Sequence, residues 1–145
     1  MRDLSLAGYR ALAEFRFQVR RFLHFSEEQV RGLGLEPQQH QLLLAIKGLP
    51  AGARATIGEL ALRLQLKHHS AVELVNRLET RGYVVRSASR GDRRQVIVRL
   101  TVSGSSVLRK LSLAHHEELE KAGPALAQAL RLLMKQTRGR GRNAA

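Results

Sequence analysis

Two β-rich runs that bracket a glycine turn constrain this chain most. Between Arg81 and Gly104 the sequence reads RGYVVRSASRGDRRQVIVRLTVSG, with Val- and Ile-rich runs at Tyr83 to Arg86 and Gln95 to Leu100 on either side of Ser89-Arg90-Gly91-Asp92. Residues of these types favour strands, and Ser, Gly and Asp supply turn chemistry, so the segment is predicted to be a hairpin. In the second run Val96, Val98 and Leu100 share one face and Gln95, Ile97 and Arg99 the other, since successive side chains of a strand point to opposite sides. One face is therefore expected in the core and the other mostly in solvent. Arg90, Arg93 and Arg94 fall at or beside the tip, where no core can be made. They either keep a strand edge soluble or act on something outside the domain.

The preceding residues favour the second option. Thr56 to Leu66 (TIGELALRLQL) reads as a short helix, with Thr56 and Glu59 at capping-box spacing and Ile57, Leu60, Ala61 and Leu64 as its apolar stripe. After a tight break a second helix runs from about Lys67 to Thr80 (KHHSAVELVNRLET), with Ala71, Leu74, Val75 and Leu78 inward and Gly82 as its stop. Two short helices joined by a turn and followed by a basic hairpin is the order of a winged helix-turn-helix, whose second helix enters a major groove. The hairpin would be the wing.

These residues resemble the multiple-antibiotic-resistance regulator (MarR) family of bacterial transcription factors. The wing carries the strongest likeness: Asp92, Arg94, the apolar strand Val96-Ile97-Val98, then Leu100, Thr101 and Gly104. A second match is Leu74-Val75-Asn76-Arg77-Leu78-Glu79 with Gly82, similar to the end of the family's recognition helix and its turn into the wing. The resemblance covers nearly the whole chain. It implies a mainly α fold with a small β-wing, a winged helix-turn-helix domain flanked by N- and C-terminal dimerisation helices.

Charge agrees with a polyanionic partner. The formal net charge is +13, and neutralising phosphates releases counterions and so drives binding. The excess lies over the proposed reading head: residues 61 to 101 hold nine Lys and Arg against three acids, whereas residues 1 to 60 hold eight against six. No apolar run approaches the ~20 residues that span a bilayer. Arg10, Glu14 and Arg16 interrupt any signal-peptide core, so a cytoplasmic, nucleoid-associated location is expected. The chain has no cysteine, which rules out the thiol-based oxidant sensing of some relatives. His68-His69 and His115-His116 are adjacent pairs that point in different directions on a helix; no metal site and no cofactor are expected. Nor is an enzyme, since there is no Gly-rich phosphate loop before a helix and no isolated carboxylate pair.

Both ends read as long amphipathic helices. Leu4 to about Gln29 sets Leu4, Ala11, Leu12, Phe15, Val19, Phe22 and Leu23 at helical spacing. After Thr101, Val107, Leu108, Leu111, Ala114 and Leu119 make one helix; beyond Gly123-Pro124, Leu126, Leu130 and Leu133 make another, with Pro124 in its first turn. A further helix spans Leu35 to Leu49, followed by a loop at Pro50 to Ala55. The whole is expected to be a single domain. Residues of about 1–34 and 102–135 form the dimerisation helices, about 35–101 the winged helix-turn-helix, and 136–145 a disordered basic tail with Arg138, Arg140 and Arg142. The apolar stripes either pack within one chain or, as the resemblance implies, interlock two subunits. A homodimer would set its recognition helices about one DNA turn apart, ~34 Å, on a pseudo-palindromic operator.

Candidate DNA-binding residues follow by position. His68, His69 and Ser70 open the recognition helix, where side chains reach base edges and backbone N–H groups meet phosphate. Glu73 stands where the family often has a basic or small polar residue; it would accept from a cytosine amino group or pair with Arg77 one turn on. Asn76 either faces DNA or covers the helix surface. Arg63 and Lys67 would lie near phosphates. The resemblance implies that Asp92 holds Arg94 toward a minor groove, with Arg90 and Arg93 beside it. It also implies a repressor released by a small aromatic or phenolic anion, for which Arg16, His24, His40 and His115 are the candidate contacts. The alternative is a sequence-insensitive nucleoid-type or RNA-binding structural protein.

Overall fold

The computed structural model describes residues 3–89 and 91–142, with all of their side chains except those of Ser89, Asp92, Arg93, Arg94 and residues 137–142. Its elements are α1 (Leu6–Gly32), α2 (Pro37–Lys47), α3 (Ile57–Leu64), α4 (His68–Thr80), β1 (Val84–Ser89), β2 (Asp92–Leu100) and α5 (Val102–Arg142). They divide into two compact units, Gln29–Ser112 and the pair of segments Met1–Glu28 and Leu113–Ala145. The first unit, the head, extends beyond the expected 35–101 into both long helices. The reason is packing: Val30 of α1 and Leu108 and Leu111 of α5 are buried members of its core.

That core joins every element of the head. Leu42 and Leu43 of α2, Leu60 of α3, Val75 and Leu78 of α4, Val84 of β1 and Val98 of β2 are each no more than 1% exposed. Burying one such side chain contributes about 1.5–3 kcal/mol. Local chemistry starts and stops the helices between these anchors. The Thr56 hydroxyl accepts from the Glu59 N–H at 3.1 Å and caps α3. Glu59 does not complete the box; its carboxylate pairs instead with Arg63, one turn on, at 3.0 Å. Gln65 ends α3 in the left-handed region at φ 54°, and Leu66 N–H closes the turn on the Ala61 carbonyl at 2.9 Å.

The two strands pair antiparallel, from Val84 opposite Leu100 to Ala88 opposite Val96, with an irregularity before Ser89 meets Asp92. Alternation holds at the base, where Val98 is buried and Leu100 half-buried, but Val96 on the same face is 41% exposed. Its partner Ala88 is exposed too, so that rung projects past the end of the core. Ile97, expected on the solvent face, packs against the core instead. A third piece of extended chain accounts for this: Thr56 bridges to Ile97, and Val98 N–H donates to the Ala55 carbonyl at 2.9 Å.

Thr101 joins the wing to α5. Its hydroxyl donates to the Gly82 carbonyl at 2.6 Å and accepts from the Gly104 N–H at 3.0 Å, while its own N–H reaches the Tyr83 carbonyl at 3.0 Å. A side chain on Gly104 would collide with that same Tyr83 carbonyl. The Leu-Thr-x-x-Gly spacing is thus a cap and a close backbone approach.

Helix α5 corrects two expectations. It runs unbroken from Val102 to Arg142 with Pro124 inside it, where a second helix had been expected to begin. A proline in a helix interior costs about 3 kcal/mol, but extending a helix already nucleated is far easier than starting a new one. Leu126, Leu130 and Leu133 keep the apolar spacing going. The same economy carries the backbone beyond 135 to Arg142, where a disordered tail had been expected, and basic residues favour a helix C-terminus. Among the described residues no helix is long and apolar enough to cross a membrane.

Candidate nucleic-acid interface

Helix α4 has one face in the core and one in solvent. Ala71, Leu74, Val75 and Leu78 are buried, leaving His68, His69, Glu73, Asn76, Arg77, Glu79 and Thr80 exposed and Ser70 and Val72 half-buried. His69, Glu73, Asn76 and Thr80 recur at the spacing of a single helical stripe. Its N-cap, Lys67, is exposed and makes no side-chain capping bond, and the first turn has no acid. The N–H groups there and the positive end of the helix dipole are open to an anion. This is the arrangement expected of a helix that meets phosphate with its first turn and base edges with the side chains beside it.

The predicted residues fare unequally. Lys67, His68, His69 and Ser70 come together at the start of α4. Arg63 is nearby in sequence on α3, and its guanidinium is engaged with Glu59, an exposed i,i+4 pair worth about 0.3–0.5 kcal/mol and weak enough to yield to a phosphate. Glu73 and Arg77 are both exposed, and among the described residues no ion pair joins them. The backbone of Asp92, Arg93 and Arg94 belongs to β2. Their side chains, the proposed hold of Asp92 on Arg94, and Arg90 as a whole lie outside the described residues.

What the sequence reading missed is the tie between α4 and the wing. Arg86 of β1 donates from its backbone N–H to Glu79 Oε2 at 3.2 Å and from Nη1 to Glu79 Oε1 at 2.9 Å. Its Nη2 donates to Asn76 Oδ1. Asn76 is exposed, and its side-chain oxygen accepts from the wing. Glu79 and Arg86 sit seven residues apart across a helix end, so no helical or strand periodicity pairs them. Arg81 makes a similar link at the base, donating to the Gly34 carbonyl and lying over the Tyr83 ring at 5.3 Å from its centroid. Arg54 Nη1 donates to Gln95 Oε1 at 3.3 Å, joining the loop before α3 to β2.

Of the four candidate ligand contacts, Arg16, His24 and His115 belong to the terminal-helix unit and His40 to the head. Arg16 and His24 are exposed on α1, with His24 at 3.1 Å from Glu28. His115 is buried in the same unit, edge-on to Phe22 and Phe25 at 5.9 and 6.0 Å between ring centroids and bonded to the Ser26 hydroxyl. It packs. His40 is buried in α2 of the head. A cavity of about 410 Å³ within the head is lined by none of them: Leu44, Lys47, Leu100, Ser105, Leu108, Arg109 and Ser112 form its wall. Among the described residues, no three His, Asp or Glu side chains are grouped to hold a metal ion.

Comparison with known proteins bears on this geometry. Residues 33–95, from the α1–α2 turn into the wing, match the model of the MarR family. A Thauera aromatica protein assigned as a transcriptional regulatory protein for the hcr operon is 28% identical over 110 residues, 76% of this chain; the chain spans 64% of that relative's length. Among solved structures, AbsC, a MarR family transcriptional regulator from Streptomyces coelicolor, superposes with a TM-score of 0.71 at 21% identity, covering 96% of this chain and 99% of its own. A mutant of MarR from E. coli complexed with operator DNA superposes with a TM-score of 0.63 at 24% identity, covering 83% and 88%. At these identities the structural likenesses speak for the fold.

Proposed function

We propose that the chain, whose residues 33–95 match the MarR family model, is a DNA-binding transcriptional regulator of that family, a homodimer that represses from a pseudo-palindromic operator until a small ligand releases it. The observation that carries the reading is the start of α4. An uncapped, acid-free first turn presents Lys67, His68 and His69 to solvent while the opposite face of the same helix is locked in the core. A rigid helix with its N-terminus outward is what groove reading requires. Two further observations support the finer points. Leu6, Tyr9, Leu12, Phe17, Leu130 and Leu132 are exposed on the terminal helices, apolar side chains that a second copy would cover symmetrically. The 410 Å³ cavity has an apolar wall with Lys47 and Arg109 in its lining, which suits a small organic anion.

The test is selection of genomic fragments on the purified protein, then titration of the best fragment against unrelated DNA at ~150 mM salt, where nonspecific phosphate binding is already weakened. An inverted repeat preferred ~10³-fold establishes the operator-reading dimer. Within that assay His69→Ala should weaken the operator selectively, whereas Arg94→Ala should weaken all sequences alike. The net charge of +13 alone would suit a sequence-insensitive nucleoid-type protein, and equal binding to every fragment would establish that reading instead.

A further inference from the structure

We propose that Arg86 is a positioning residue for DNA binding: clamped by Glu79 and Asn76, it sets the angle of the wing against the recognition helix and does not itself bind phosphate. Three donor groups of one residue converge on three acceptor oxygens of two α4 side chains. The Arg86 backbone N–H and Nη1 take the two oxygens of Glu79, and Nη2 takes Asn76 Oδ1. The cation is thereby matched to a carboxylate within the protein, with the Arg86 side chain 29% and the Glu79 side chain 40% exposed. Arg86 lies opposite Val98, the innermost residue of β2. Beyond it toward the tip, Ala88 and Val96 are exposed, and none of the described residues there belongs to the core. Among the described residues the clamp is thus the outermost polar attachment of β1 to α4. Helix and wing must reach neighbouring grooves together, and a hairpin free to swing loses entropy on docking that a held one has already lost.

Glu79 makes the idea discriminating. Removing an acid from a DNA-binding head should, by charge alone, tighten DNA binding and steepen its salt dependence. The clamp requires the reverse, so Glu79→Ala should weaken operator binding by about 3- to 10-fold, the range of a partly exposed charged hydrogen-bonded pair. Arg86→Ala should weaken it comparably with no change in the slope of log Kd against log salt, whereas loss of a phosphate contact lowers that slope by about 1. Combining both substitutions should cost little more than either alone. Glu79→Gln, which keeps an acceptor for the backbone N–H, should lie between wild type and Glu79→Ala.

The proposal rests on the DNA-binding reading, so amide hydrogen exchange of the free protein is measured beside the titration. Glu79→Ala should speed exchange in the hairpin from Arg86 to Ile97 and leave α2 and α3 unchanged. If the wild type shows no operator preference, the functional reading fails while the exchange data still decide the clamp. Unchanged hairpin exchange, tighter operator binding by Glu79→Ala, or a shallower salt slope for Arg86→Ala would each overturn it.

Discussion

The head and the terminal-helix unit are built from similar amphipathic patterns, yet they finish differently. In the head, apolar stripes from five helices and two strands meet, and its largest side chains are almost wholly hidden: Leu35, Leu42, Leu43, Leu60, Leu78 and Leu111 are at most 1% exposed. In the other unit, Leu6 is 63%, Tyr9 59% and Leu113 60% exposed, while polar Gln18 and His115 are buried. A stripe becomes core only where several elements converge on it. Two long helices provide a surface, which in the proposed dimer a second copy would complete.

The sharpest way to break that contrast is to excavate the head. Leu78→Ala removes a fully buried side chain from the face of α4 and should destabilise by about 2–5 kcal/mol, read as a large drop in Tm with loss of DNA binding. A Leu113→Ala change in the other unit should leave the Tm of an isolated subunit almost where it was. Next comes Gly104→Ala, whose methyl group would strike the Tyr83 backbone. Backbone cannot step aside as a side chain can, and a loss of about 1–3 kcal/mol is expected, with calorimetry as the check. Thr56→Ala deletes the α3 cap and should cost about 1 kcal/mol, visible as a shifted urea midpoint at constant m-value. The smallest effect on folding sharpens the comparison most. Replacing Leu6 and Leu132 by Ser should change subunit stability by no more than about 0.5 kcal/mol, yet sedimentation should show the dimer dissociating; a dimer that persisted would refute the proposed role of that surface.

Much of the head was legible because its signals are local. The Thr56 cap, the break between α3 and α4, the inward set Ala71, Leu74, Val75 and Leu78, and the Leu-Thr-x-x-Gly run each declare themselves within one or two turns of chain. The positions of Lys67, His68, His69 and Ser70 followed directly, since the first turn of a helix is known once its start is known. Ile97 and Val96 were misjudged for a reason the hairpin alone does not contain. Which face of a strand is wet depends on how far the covering elements reach, and here an extended residue upstream of α3 covers Ile97 while Val96 stays 41% exposed. Pro124 misled in the same way: residue type favours a helix start, but the helix arriving from Val102 had no need of a new one.

Taken alone, the order and approximate ends of the elements from α1 to β2, the basic bias of residues 61–101 and the residues that open α4 were determined by the amino-acid sequence, because caps, periodicity and charge act over a few neighbouring positions. Tertiary structure decided where the head ends along α1 and α5, which backbone Gly104 had to admit, and that Arg86 spends its charge on Glu79 and Asn76 rather than in solvent. Those outcomes depend on which surfaces meet in space, and a helix end, a turn and a strand pairing must all be in place before Glu79 and Arg86 are neighbours.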